Sequence, residues 1–135
     1  MKAASLKFSV KEKPSFYDIK INRKRDINYY NEKGQLHRLD GPAVEKVNGD
    51  KEWYINGKRH RLDGPAVEWS NGDKAWYVNN KLHRLDGPAV EWQNGVKKWY
   101  VNDKLIGSSK DGFTQAGFTQ EDFEQWKKKH GYENS

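Results

Sequence analysis

The 135 residues contain no cysteine, so a disulfide frame and a thiolate metal site are both excluded, and secretion gains no support. No stretch approaches the roughly 20 apolar residues that a membrane-spanning helix needs. The opening MKAASLKFSVKEKPSF has no apolar run of signal-peptide length. The expectation is a cytoplasmic protein with no membrane insertion. Methionine occurs once, so apolar burial has to come from elsewhere.

It comes from aromatic rings. Six Trp and seven Tyr stand in a chain that is 33% charged. Aromatic and β-branched side chains suit a pleated surface better than a helical core, which argues for sheet. The length fits one domain. A net charge of +6 and a sequence pI near 9.4 favour acidic proteins, nucleotides or nucleic acid as partners.

The chain is periodic. HRLDGPAVEW stands at 60–69 and again at 83–92, with HRLDGPAVEK at 37–46. His37, His60 and His83 are thus 23 residues apart, as are Arg38, Arg61 and Arg84, and Asp40, Asp63 and Asp86. The third unit loses its ending, with Ile106 and Gly107 where His and Arg would recur. INYYNEKGQLHRL reads as a degraded half unit with one extra residue near Glu32–Gly34. Atypical terminal units are what a stacked array needs.

Within a unit, an extended Pro-Ala-Val-Glu-Trp stretch leads to Asn-Gly at 48–49, 71–72 and 94–95. A Trp-Tyr-Val/Ile strand and a second tight turn follow, at Asn56-Gly57, Asn79-Asn80 or Asn102-Asp103. Asn-Gly between β-rich runs predicts hairpins with type I′ turns, whose central residues need positive φ. That register places Val67, Trp69, Trp76 and Val78 on one face, and Ala66, Glu68 and Tyr77 on the other.

The pattern Trp-x-x-Asn-Gly-Lys-x-His-x-x-x-Gly-Pro-Ala-Val-x-Trp-x-Asn-Gly resembles the MORN repeat, in the variant form common in phage, large-virus and bacterial proteins. The resemblance covers about residues 27–106. Where the family usually has a second Gly of a Gly-x-Gly step, this chain has Asp-Gly-Pro. The resemblance implies an elongated, single-layer antiparallel meander of hairpin repeats. It also implies scaffolding, lipid or partner binding rather than chemistry, and a phage or viral source, where small proteins often block a host defence system by direct contact.

The expected fold is therefore all-β with a short C-terminal α-helix. Residues 1–26 read as N-terminal edge strands, with Tyr17, Ile19 and Ile21 on one face. Residues 27–106 carry three and a half repeats, 107–117 a connector, and 118–135 the helix and tail. Thr119 as N-cap with Asp122 at N3 forms a capping box, Phe118 and Phe123 a hydrophobic staple, and Gly131 the stop. Phe123, Trp126 and His130 share one helix face.

As chemistry, His with Asp three residues on could be an oriented base and Arg an anion holder. Three equal copies argue against it, because an active site needs one asymmetric constellation, and no Ser or Cys nucleophile is paired to these histidines. The expectation is a non-catalytic structural ladder: Arg and Asp of neighbouring units pair along the sheet edge, and His donates to a turn carbonyl. Histidines of adjacent units stand roughly 10 Å apart, too far to share one metal ion, so neither metal nor cofactor is expected. Glu45, Glu68 and Glu91 read as strand-surface residues facing lysines.

The rings have no obvious complete cover, since one short helix is too small for five spread indoles. An uncovered aromatic face marks an interaction site. The candidate binding residues are Trp53, Trp69, Trp76, Trp92 and Trp99, Tyr54, Tyr77 and Tyr100, and Arg38, Arg61 and Arg84. An acidic protein is the expected partner. The alternative is nucleic acid or an anionic nucleotide, with Arg23 and Arg25 joining the other arginines and the rings stacking bases. Self-association through the final sheet edge is a further expectation.

Overall fold

The computed structural model describes residues 17–109 and 117–132. Any strand expected before Tyr17, and most of the expected connector, lie outside these residues. The described chain is an all-β antiparallel hairpin meander in a single layer, closed at its C-terminal end by one short helix.

The first hairpin pairs β1 (Asp18–Ile21) with β2 (Ile27–Tyr30). Each repeat then adds one short hairpin to the main sheet. These hairpins are β3 (Val44–Glu45) with β4 (Lys51–Glu52), β7 (Val67–Glu68) with β8 (Lys74–Ala75), and β11 (Val90–Glu91) with β12 (Lys97–Val101). Two side ribbons project between them: β5 (Tyr54–Ile55) with β6 (Lys58–Arg59), and β9 (Tyr77–Val78) with β10 (Lys81–Leu82). β13 (Lys104–Ser108) closes the nine-stranded sheet, whose order is β1-β2-β3-β4-β7-β8-β11-β12-β13. β13 is five residues long because the sequence drops His-Arg-Leu-Asp-Gly-Pro after Lys104-Leu105. With no loop to feed, the chain runs back along β12, with a shift of register between Trp99 and Tyr100.

The two turns of each unit differ. Asn56 and Gly57, Asn79 and Asn80, and Asn102 and Asp103 all have positive φ, between 49° and 82°, as two-residue primed turns demand. At 48–49, 71–72 and 94–95 only the glycine is left-handed, with φ of 97–103°. There the Asn side chain accepts the amide two residues on, as Asn48 Oδ1 does from Asp50 at 2.9 Å, and the loop closes between residues such as Trp69 and Asp73. The expected type I′ turn at these sites is thus corrected to a longer Asx-type loop with a glycine at its end.

That difference slips the register by one residue, which flips faces. Val67 pairs with Ala75 rather than Trp76, and Glu68 with Lys74. The row Val44, Glu52, Val67, Ala75, Val90 crosses one face, with its three valines and Ala75 buried. The opposite face carries an alternating row Glu45, Lys51, Glu68, Lys74, Glu91, Lys97. The expected shared face of Trp69 and Trp76 is therefore wrong: alternation puts them on opposite sides.

Repeats are stitched by side-chain carboxylates. Asp26 Oδ1 accepts the amide of Val47, Asp50 Oδ1 that of Ser70 and Asp73 Oδ1 that of Gln93, at 2.7–2.9 Å. Asn80 and Asp103 likewise accept the amides of Arg59 and Leu82 in the preceding ribbon. In the half unit, Tyr29 stands where Trp53 and Trp76 stand, since its carbonyl takes the amide of His37 as theirs take those of His60 and His83. The extra residue is absorbed by a wider turn from Asn31 to Gln35.

The helix α1 (Gln120–His130) is capped as its sequence dictates: Thr119 Oγ1 accepts from Asp122 N at 3.1 Å, and Asp122 Oδ2 accepts from Thr119 N at 2.9 Å. Gly131 ends it in the left-handed region. Phe123 and Lys127 are its buried residues, and Phe123 packs with Trp99 and Val101 into a compact cluster.

Candidate functional site: arginine clamps and two open grooves

The His-Arg-Leu-Asp-Gly-Pro segment forms the same clamp three times. Arg61 Nε donates to Asp63 at 3.0 Å, while its Nη1 donates to the Pro65 carbonyl at 3.0 Å and to Glu68 at 3.1 Å. Its Cζ lies 3.9 Å from the ring centroid of Trp53. Arg84 repeats this with Asp86, Pro88, Glu91 and Trp76, and Arg38 with Asp40, Pro42, Glu45 and Tyr29. The clamp explains the following glycine: a Cβ at Gly41, Gly64 or Gly87 would lie 2.8–2.9 Å from the arginine Cζ.

Two expectations are corrected here. Arg and Asp do pair across the junction of consecutive units, since Arg61 closes one and Asp63 opens the next, but each pair is local, two residues apart, and forms no ladder from hairpin to hairpin along the sheet edge. Their geometry follows from the tight loop, which turns Asp back onto the Arg stem. The same arginine stacks on the ring of its own unit, Trp53 under Arg61 and Trp76 under Arg84, and reaches Glu68 or Glu91 of the next. The histidines accept rather than donate: Nδ1 of His37, His60 and His83 takes the amides of Asn56, Asn79 and Asn102 at 2.9–3.1 Å. Each neutral ring therefore carries its proton on Nε2. Burial pushes His37 and His83 below their ordinary value of 6.5. Glu45, Glu68 and Glu91 do lie opposite lysines in register, but they form their ion pairs with Arg38, Arg61 and Arg84.

The indoles meet different fates. Trp53 and Trp76 are half-buried beneath arginines. Trp69 and Trp92 meet at 6.4 Å between ring centroids on the opposite face, tilted by 41°, and Trp92 stays 36% exposed. Trp99 is buried by α1, with Phe118 at 5.3 Å and its Nε1 donating to Gln120. Tyr54 and Tyr77 sandwich nothing in the clamps. They flank Arg59, whose Nε donates to Tyr54 Oη at 3.3 Å and whose Cζ is 5.3 Å from the Tyr77 ring. Tyr100 is half-buried in β12, and its carbonyl accepts from Arg84 N.

Between successive clamps lie two grooves of the same design. The first, about 640 Å³, is floored by Trp53 and Ile55 and walled by Leu39, His60 and Leu62. The second, about 590 Å³, has Trp76 and Val78 as its floor and Leu62, His83 and Leu85 as its walls. Leu39 and Leu62 stand out into solvent at 64% and 79% exposure.

A basic row lies next to them, with Lys58 and Lys81 paired in register with the floor residues Ile55 and Val78. Lys58, Lys81 and Lys104 recur at the 23-residue period, open the return strands β6, β10 and β13, and are exposed. Among the described residues no ion pair engages them, whereas each of Arg38, Arg61 and Arg84 is neutralised by two carboxylates. The sequence reading missed this row, although its spacing was the available signal. Among the described residues no group of three or more His, Asp or Glu side chains is placed to hold a metal ion, and no helix is long and apolar enough to cross a membrane.

Comparison with protein-family models, with curated proteins and with solved structures finds no match.

Proposed function

We propose that this chain is a non-catalytic interaction module of MORN-like repeats, which binds an acidic protein through the lysine row and the grooves beside it. The observation that carries the reading is the recurrence of Lys58, Lys81 and Lys104 beside open, aromatic-floored grooves. The lysines of the row open the return strands of successive repeats, an array that suits an extended acidic surface. The arginines contribute shape rather than net charge, because each is paired.

The likeness to phage and viral repeat variants extends the reading to a protein that acts in a host cytoplasm and blocks a defence complex by contact alone. Affinity capture from host cytosol with the full chain tests it. A partner retained by the native chain and lost with Lys58→Glu, Lys81→Glu and Lys104→Glu combined is the expected result. Capture that ignores those reversals overturns it.

A second reading, nucleic-acid binding, draws on the same lysine row. It requires affinity to fall steeply and log-linearly with salt, by about 0.7–0.9 of a power per phosphate contact. Protein binding seated in apolar grooves weakens far less.

A further inference from the structure

We propose that the two open grooves each seat an amphipathic helix of the partner protein, in the manner in which α1 fills a third copy of the same groove. The inference rests on the interaction-module reading and supplies the chemistry of what is bound.

Adding 23 to each residue of the second groove gives the third. Trp76 and Val78 become Trp99 and Val101, and Leu62 becomes Leu85. His83 and Arg84 become Ile106 and Gly107. These are the residues that α1 covers: Phe123 is fully buried against Trp99 and Val101, with Leu85, Ile106 and Trp126 packed around them. Lys127 Nζ donates to the Leu85 carbonyl at 2.6 Å. At the far end Trp126 and His130 border Asn102 and Lys104. Among the described residues the fold thus contains one occupied copy and two unoccupied copies of a single groove.

The differences between copies define the guest. A Cβ on Gly107 would lie 2.2 Å from the ring of Phe118, so an arginine there and Phe118 exclude each other. In the open grooves Arg61 and Arg84 hold that place over Trp53 and Trp76. A partner helix must therefore be small five residues before its seated aromatic. It needs aromatic or large apolar side chains at i and i+3, where α1 has Phe123 and Trp126. It needs a long donor at i+4 for the carbonyl of Leu39 or Leu62. Where α1 presents His130 near Lys104, at i+7, the guest meets Lys58 or Lys81, and an acidic residue is the complement.

The test uses the isotope-labelled full chain and a synthetic peptide of residues 117–132 carrying Phe118→Gly and His130→Glu, followed by nuclear magnetic resonance. The expected result is saturable shifts of the Trp53 and Trp76 indole N–H signals and of the Leu39 and Leu62 methyls, at peptide concentrations up to about 2 mM. Trp99 stays unmoved. Leu39→Asp, at an exposed wall of the first groove only, removes the Trp53 response and leaves that of Trp76. Shifts at Trp99 alone, no shifts, or shifts indifferent to Leu39→Asp overturn the inference. A cytosolic partner lost on lysine reversal but retained by Leu39→Asp with Leu62→Asp overturns it too, while the interaction-module reading stands. A peptide that binds as expected with no lysine-dependent partner leaves the grooves assigned and removes that reading.

Discussion

The guanidinium carbon of Arg61 lies 3.9 Å from the ring centroid of Trp53, and Gly64 leaves the space in which it lies, since a Cβ there would come within 2.8 Å of it. Residues 53 and 61 lie in one unit, while the Asp63 and Glu68 carboxylates that hold Arg61 belong to the next, so the clamp joins the repeats. Gly64→Ala is expected to cost about 1–3 kcal/mol by forcing the arginine aside. In an Arg61→Ala background the same substitution costs less than about 0.5 kcal/mol. Chemical denaturation of the double-mutant cycle checks this, and additive losses would show that Gly64 serves something other than the clamp.

Phe123→Ala is expected to cost about 3–4 kcal/mol of local stability, because the side chain is fully buried against Trp99 and Val101. An 11-residue helix does not persist in water by itself. Hydrogen exchange in α1 then approaches free-peptide rates while the amides of β7 and β8 keep their protection. Loss of protection throughout would mean that the helix supports the whole array.

Acid destabilises the protein in two stages. His37 and His83 have folded values pushed below 6.5 by burial, and their Nδ1 atoms accept amide protons. The unfolded chain therefore binds protons first, so stability is full above 6.5 and declines as pH falls through the depressed folded values. Asp26, held below 3.8 by Asn22 and the Val47 amide, and Asp50, held there chiefly by the Ser70 amide, add a second decline below 3.8. A urea series from pH 8 to 3 checks the sign. Stability rising between pH 6.5 and 5 would contradict the acceptor role of the histidines.

Much of this architecture was legible because its causes are local. Asn56-Gly57 and Asn79-Asn80 supply left-handed φ wherever they stand, and Thr119, Asp122 and Gly131 cap a helix by their own backbone geometry. The 23-residue period needed only counting. What was not legible depends on partners distant in the chain. Asn71-Gly72 is compatible with a two-residue turn or a longer loop, and the Asp50 carboxylate on Ser70 belongs to another unit; the choice flipped Trp69 away from Trp76. Whether His60 gives or takes a proton depends on which group of the next ribbon reaches it. Arg61 held between Trp53 and the next unit's Glu68, and Phe118 in the place an arginine would fill on Trp99, are relations between separated segments that no short stretch displays.

Equivalence of the three units is the claim on which the rest depends, and Arg38→Lys, Arg61→Lys and Arg84→Lys, made singly, measure it most directly. Lysine keeps the charge but loses the planar fork and the ring stack, so each variant is expected to lose about 1–2 kcal/mol in urea unfolding. The three losses should agree within about 0.5 kcal/mol. One variant that keeps its stability yet alone abolishes a biological activity would mark a single asymmetric site, and the repeated His-Arg-Asp segment would then be chemistry rather than construction.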